Sequence, residues 1–364
     1  MTVYLILIFS ILLIGLGIKP WKTPLKRRRF LFISFILLVI ISGFRDYSVG
    51  VDTLYYVSLF NNIELVDFNT SRYEIGFLFF LRIIHSLTDN ASVFLLLSSC
   101  ICIGITCQFI FKYSDDPLLS ILLYILLKPY FFQMTGIRQS IATAFVMLAF
   151  MLIMETRTFW KTAVSIIFMV VAVLFHNMAV VAFAPYLLWL LAKVKAALRI
   201  TPRSVLKWTI IIAVLVFSAY PYIMRLVSLL FPQYTHYFSG TWADANYSAS
   251  LFKVLIQLVF LIVGVIYLRK QKVTEIEEFA LIMIFIAVVT NTLSMRMEIW
   301  GRLSGLFSTY TGILFAPMFT STISEAKNRL AVKASVVVFS LAYLLITFIF
   351  RPEWDGVVPY LFRR

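Results

Sequence analysis

Apolar runs of helix length follow one another from Val3 to Phe350, separated only by short connections. That succession restricts the fold to one class. In a hydrocarbon core every backbone N–H and C=O must be paired internally, and a helix does so within a single segment. No water-soluble globule hides a chain that is 62% hydrophobic and 13% charged, with 35 Phe and a mean hydropathy of +0.95. The expected fold is all-α: a polytopic transmembrane helical bundle forming one integral-membrane domain over residues 1–364. The first run, Val3 to Gly17, has no positive charge before it and a Lys-rich stretch after it, so it reads as a retained span rather than a cleaved signal.

A span needs about 20 apolar residues, with about 17 tolerated. Helices are predicted near 3–18, 30–44, 74–87, 91–111, 117–134, 137–154, 160–175, 178–192, 206–229, 251–268, 278–295, 302–320 and 332–350. Strongly basic connections at 19–29, 193–207, 269–272 and 327–333 are expected on the cytoplasmic side. Counting backward from the last two puts residues 135–138, 176, 230–250 and 296–301 outside; counting forward from the first puts 44–73 outside. The two counts conflict if every segment crosses, so one segment between 74 and 134 must be re-entrant or half-membrane. The segment 74–87 is the first choice, being only about 20 Å long and carrying Arg82 and His85; 117–134, interrupted by Lys128 and Pro129, is the second. The expected total is about 12 to 13 membrane helices.

The formal charge of +15 sits in those connections, so topology accounts for it and no nucleic acid partner is implied. Cys100, Cys102 and Cys107 share one apolar segment with no His or carboxylate at ligand spacing, which reads as packing. No metal site is expected.

Against this background, ionisable residues beside the spans stand out, because they are costly unless they line a polar cavity. In Gly43 to Tyr56, Asp52 could act as a general base and Arg45 could hold a phosphate through its forked guanidinium; a local Arg45–Asp46 pair is the plainer alternative. Glu74, Arg82 and His85 fall within about 80° of one another on a helix. In Thr135 to Phe145, Gly136 precedes Arg138 and Gln139 at a helix start, where free N–H groups, the positive dipole end and a full charge together suit an anion. His176 and Asn177 interrupt two apolar runs that would span about 50 Å if continuous, marking a turn or a break. Arg302 is a second candidate for a phosphate, or a helical partner of Glu298. Trp242 and Tyr247 in the 230–250 connection are candidate sugar-stacking aromatics, or part of an interfacial belt.

The ordered motifs Arg45-x4-Gly50-x-Asp52-x2-Tyr55, Glu74-x-Gly76-Phe77, Gly136-x-Arg138-Gln139, Phe175-His176-Asn177, Arg302-x7-Tyr310 and Pro359-Tyr360 resemble the EpsG family, polytopic polysaccharide polymerases of the Wzy type. The resemblance implies a multi-pass enzyme of the bacterial cytoplasmic membrane with an outward-facing active site. It would join polyprenyl-diphosphate-linked oligosaccharide repeat units into a surface polysaccharide, with no cofactor and no metal. Lipid-linked oligosaccharide and membrane lipid are the partners implied, with room for a chain-length regulator. Arg45, Arg138 and Arg302 would stabilise the diphosphate leaving group, and Asp52, Glu74 or His176 would take the proton of the acceptor hydroxyl, Asp52 being favoured by the reach of its loop. Gln139, Asn177, Trp242 and Tyr247 would contact glycan. A transporter or flippase of lipid-linked oligosaccharide is the rival from another class, although the paired interrupted halves common in transporters are not visible. O-antigen ligase and membrane acyltransferase chemistry are the enzyme alternatives.

Overall fold

The computed structural model describes residues 1–155, 158–191, 200–230, 247–268, 273–297 and 300–363. Among them the secondary structure is helical, with one isolated antiparallel bridge between Arg45 and Phe362. Five helices are long and apolar enough to cross a membrane: Ala91–Tyr113, Ile137–Glu155, Leu251–Leu268, Glu275–Ser294 and Ala326–Phe350. Two bent pairs raise the number to seven. The larger total of about a dozen is not reproduced by length and composition. Several apolar runs close as short helices, such as Thr2–Ile18, Ile75–His85 and Phe159–Phe175.

The chain divides into two compact units, residues 1–186 with 330–364, and residues 187–329. The first unit contains α1 (Thr2–Ile18), α2 (Pro24–Gly43), α3 (Thr53–Asn61), α4 (Ile75–His85), α5 (Ala91–Tyr113), α6 (Pro117–Leu126), α7 (Pro129–Thr135), α8 (Ile137–Glu155) and α9 (Phe159–Phe175). Their starts follow local chemistry. The Thr23, Asn90 and Asp116 side chains accept from Lys26, Ser92 and Leu119 N–H groups, and Pro24, Pro117 and Pro129 occupy first-turn positions where no N–H is needed.

Contacts at the helix ends fix the direction of each segment within this unit. At one end Arg27 donates to the Phe111 carbonyl, Lys112 and Lys161 pair with Glu155, and Lys333 pairs with Asp116 at 2.6 Å. At the other end the Tyr4 hydroxyl reaches the Val357 carbonyl, Arg45 reaches Met134, and Arg363 reaches Asn90. Thus α1, α2, α5, α8, α9 and the Ala326–Phe350 helix each run between a basic end and an opposite end. The α6–α7 pair does so too, bent by 48° at Lys128, so the segment 117–134 is a broken passage. In contrast, α4 starts and finishes at the non-basic end: its last residue, His85, lies beside Glu64 and Asp89, just before α5 begins there. Of the two segments considered for a half-membrane element, 74–87 is thus the one whose helix begins and ends at the same end of this unit.

The non-basic end is tied together by the C-terminal residues. The N–H groups of Asp46, Gly50 and Val51 donate to the carbonyls of Leu361, Gly356 and Asp355, and the Tyr360 hydroxyl donates to Ile41. Gly50 has φ +100, and a Cβ there would stand 2.5 Å from the Met134 carbonyl oxygen, so glycine lets this loop lie directly on α7. Lys128, itself in a left-handed conformation, pairs with Asp355 at 2.6 Å in a largely buried setting.

In the second unit, the helices Pro202–Ser218 and Glu275–Ser294 both open on capping boxes, built by Thr201 with Ser204 and by Thr274 with Glu277. Glu275–Ser294 is its most enclosed span. Helix Trp300–Tyr310 continues through a π-helical turn, Thr311–Phe315, into Ala316–Ser321.

Candidate active site

The site is assembled where α4, α8 and α9 meet α3 at the non-basic end of the first unit. Glu74 precedes α4 in an extended conformation and does not cap its own helix. Two residues on, a Cβ at Gly76 would stand 2.7 Å from the Leu174 carbonyl oxygen and 2.8 Å from Leu174 Cβ. Glycine therefore allows the start of α4 to rest on the last turn of α9. The chain then leaves α9 at His176, whose extended backbone stops the helix and opens a 3₁₀ turn, Asn177–Ala182. The two departures bring a carboxylate, an imidazole and an N–H group together.

Glu74 is the hub. Its Oε1 accepts from the Asn177 N–H at 3.2 Å and lies 3.1 Å from His176 Nδ1, while its Oε2 is paired with Arg138 Nη1. Arg138, in the first turn of α8, also donates from Nε to the Tyr56 hydroxyl at 3.3 Å. Its guanidinium lies 4.9 Å from the centroid of Tyr73, with Tyr56 and Phe77 also within cation–π range. The side chains of Glu74, His176 and Arg138 are 9, 13 and 18% exposed, so the group is shielded without being sealed.

Glu74 lies ahead of α4, outside every candidate span. Burial alone would raise its carboxyl pKa; the hydrogen bond with His176 and the charge of Arg138 outweigh burial and bring it down to about 2. An ionised Glu74 can only accept, so Nδ1–H of His176 is the donor of their hydrogen bond. The other ring nitrogen, Nε2, is buried and has no hydrogen-bond partner among the described residues. The arrangement holds one group suited to accept a proton, a carboxylate that orients it, and a cation suited to an anion.

The other sequence candidates fall elsewhere. Asp52 stands at the N-terminus of α3, one turn before Tyr56, and its carboxylate does not cap that helix. Arg45 is 2% exposed, and its guanidinium donates to the carbonyls of Val49, Ser42 and Met134, which makes it part of the scaffold beneath α7. Gln139 is buried at 3% beside Arg138 in sequence. Asn177 contributes its backbone N–H, with its side chain exposed. Arg302 is exposed on helix Trp300–Tyr310 of the second unit. Trp242 and Glu298 lie outside the described residues, as does the side chain of Tyr247 at the start of helix Tyr247–Leu268. Arg82 and His85 do not join Glu74: Arg82 lies over Phe68, and His85 faces Glu64 and Asp89. Sequence reasoning missed Tyr56 and Tyr73. Tyr56 carries a signal in its position one turn after Asp52, and Tyr73 in its place next to Glu74.

Searches of curated proteins and of solved structures return no match. The family model described as EpsG family matches residues 28–362, a stretch that takes in α3, the Glu74–Arg138–His176 cluster and the C-terminal residues that tie down its scaffold. With that match running over nearly its whole length, this membrane protein belongs to the EpsG family.

Proposed function

We propose that the protein is a membrane glycosyltransferase that polymerises polyprenyl-diphosphate-linked oligosaccharide repeat units into a surface polysaccharide, working on the outer face of the bacterial cytoplasmic membrane. Membership of the EpsG family supports the broad reading of a membrane polysaccharide polymerase. The observation that carries the finer one is Glu74 bridging a cation and an imidazole, Arg138 on one carboxylate oxygen and His176 on the other. The outward orientation is supported by the cluster's place at the end of the first unit opposite Arg27, Lys112, Lys161 and Lys333, since Lys and Arg gather on the cytoplasmic side.

In this mechanism the acceptor hydroxyl oxygen attacks the anomeric carbon of the donor glycan as the bond to the diphosphate oxygen breaks. Negative charge grows on the departing polyprenyl diphosphate, where Arg138 stabilises it by a charge-assisted contact. His176 Nε2 takes the hydroxyl proton, and Glu74 stabilises the imidazolium that forms through Nδ1–H. Arg45 serves as scaffold in this reading, and Arg302 lies in the other unit, residues 187–329. Asp52, preferred on sequence alone, yields the role of base to His176, because His176 has a fixed orienting partner.

The test uses purified protein in nanodiscs with a polyprenyl-diphosphate-linked repeat unit, following release of polyprenyl diphosphate and growth of glycan. Arg138→Ala is expected to slow turnover about 100-fold or more, as loss of one preorganised charge-stabilising donor does. His176→Ala is expected to be similarly impaired, while Asp52→Asn retains most activity. Full activity of His176→Ala together with an inactive Asp52→Asn would transfer the base to Asp52. Movement of the lipid-linked substrate between leaflets without any glycan growth would favour the transporter reading.

A further inference from the structure

Beside Glu74, on the side that also exposes the Asn177 side chain, lies a cleft of about 190 Å³. At about 30 Å³ per water it has room for roughly six waters, the scale of one sugar ring rather than a chain. Its lining is divided. Arg72, Glu74 and Asn177 supply hydrogen-bonding groups, whereas Ile75, Val173 and Leu174 supply an apolar surface. Tyr73 joins the two: its hydroxyl accepts from Arg72 Nη2 at 3.0 Å, and its ring is the one closest to the Arg138 guanidinium. A lipid tail would leave the polar half of this lining unpaired, and a free anion would meet the Glu74 carboxylate. A pyranose, with C–H faces and a rim of hydroxyls, matches both halves.

We infer that this cleft is a monosaccharide subsite, seating a sugar of the acceptor repeat unit against Glu74. The inference rests on the placement of the diphosphate at Arg138. It adds a second, separable half to the site: the cleft and Arg138 share only Glu74 and Tyr73 as a common wall. The reacting hydroxyl and the leaving group then meet across Glu74, with the acceptor sugar held on one side and the donor diphosphate on the other.

The two halves are separated by binding measurements on the full-length protein in detergent, using two probes. One is farnesyl diphosphate; the other is the free repeat-unit oligosaccharide released by mild acid from the lipid-linked intermediate of a strain lacking the gene. Val173→Trp fills the cleft from its apolar side without removing a hydrogen bond. It is expected to weaken oligosaccharide binding about tenfold or more and to leave farnesyl diphosphate binding unchanged. Arg138→Ala is expected to do the reverse. Retained farnesyl diphosphate binding shows that Val173→Trp is folded. If that variant binds neither probe, Asn177→Ala, which trims an exposed side chain, decides in its place, and a several-fold loss of oligosaccharide binding is expected. Wild-type oligosaccharide affinity in a folded Val173→Trp or in that Asn177→Ala protein, or no oligosaccharide binding by the wild type, overturns the subsite. Wild-type farnesyl diphosphate affinity in Arg138→Ala overturns the diphosphate placement instead.

Discussion

Glu74 does three things at once: it neutralises Arg138, orients His176 and ends the 3₁₀ turn's demand for an acceptor at the Asn177 N–H. Its folded pKa of about 2 lies below its ordinary value of 4.5. A depressed carboxylate contributes stability above its unfolded pKa and loses it as pH falls through the folded value. Glu74→Gln should therefore be less thermally stable than wild type above about pH 4.5, with the difference shrinking as pH falls toward about 2. Thermal unfolding in detergent across that range checks this; a pH-independent difference would mean that the charge of Glu74 is not what stabilises the fold. Gly76→Ala tests position rather than charge. The added methyl meets the Leu174 backbone, pushes α4 off α9 and draws Glu74 away from His176, with an expected 10- to 100-fold loss of turnover. Sequence alone makes each of Glu74, Arg138 and His176 conspicuous, because an ionisable group beside an apolar run is costly. It cannot show that they share one carboxylate, since the three lie as much as 102 residues apart along the chain. Arg45 was equally conspicuous, and only its three carbonyl partners reveal a scaffold role.

Among the elements, the joint between α7 and α8 matters most, because Arg138 projects from the residues just after it. The joint is held from two sides. The Met134 carbonyl accepts from Arg45 Nη2 and from Thr53 Oγ1, and Thr135 Oγ1 donates to the Asp355 carbonyl. Lys128 at the preceding bend is anchored by the Asp355 carboxylate. Removing one partner of such a buried pair strands a charge, so Asp355→Ala and Lys128→Ala are each expected to cost about 3–5 kcal/mol, whereas Lys128→Met with Asp355→Leu should recover much of that loss. A double-mutant cycle by chemical unfolding checks the pair; additive single losses would show that the two residues do not act together. Lys128-Pro129 was legible as an interruption, because proline after a charged residue cannot sit quietly in a continuous apolar helix. The C-terminal clasp was not legible, because pairing between residues over 200 positions apart leaves no local pattern. The short α4 was legible by length.

For the whole molecule, the direction of the helices in the first unit sets a testable topology. With the native cysteines replaced, a single cysteine at Asn177 should react with a membrane-impermeant maleimide in intact spheroplasts, and one at Lys161 should react only after permeabilisation. The opposite pattern would place the site inside the cell. The expectation comes from the basic connections, and the contacts of α2, α5, α8 and α9 separate a basic end from an opposite one. The total number of crossings was less legible, because hydropathy does not separate a full-length span from apolar helices that close at 10–17 residues, such as Thr2–Ile18 and Phe159–Phe175. The central claim is polymerisation at an Arg138-centred site. Its most direct measurement is the length distribution of surface glycan, read as a gel ladder, in a deletion strain complemented with wild type or with an Arg138→Ala protein shown to be expressed. The account predicts single-repeat products in the deletion, a restored ladder with wild type and none with Arg138→Ala. A normal ladder without the gene would contradict it.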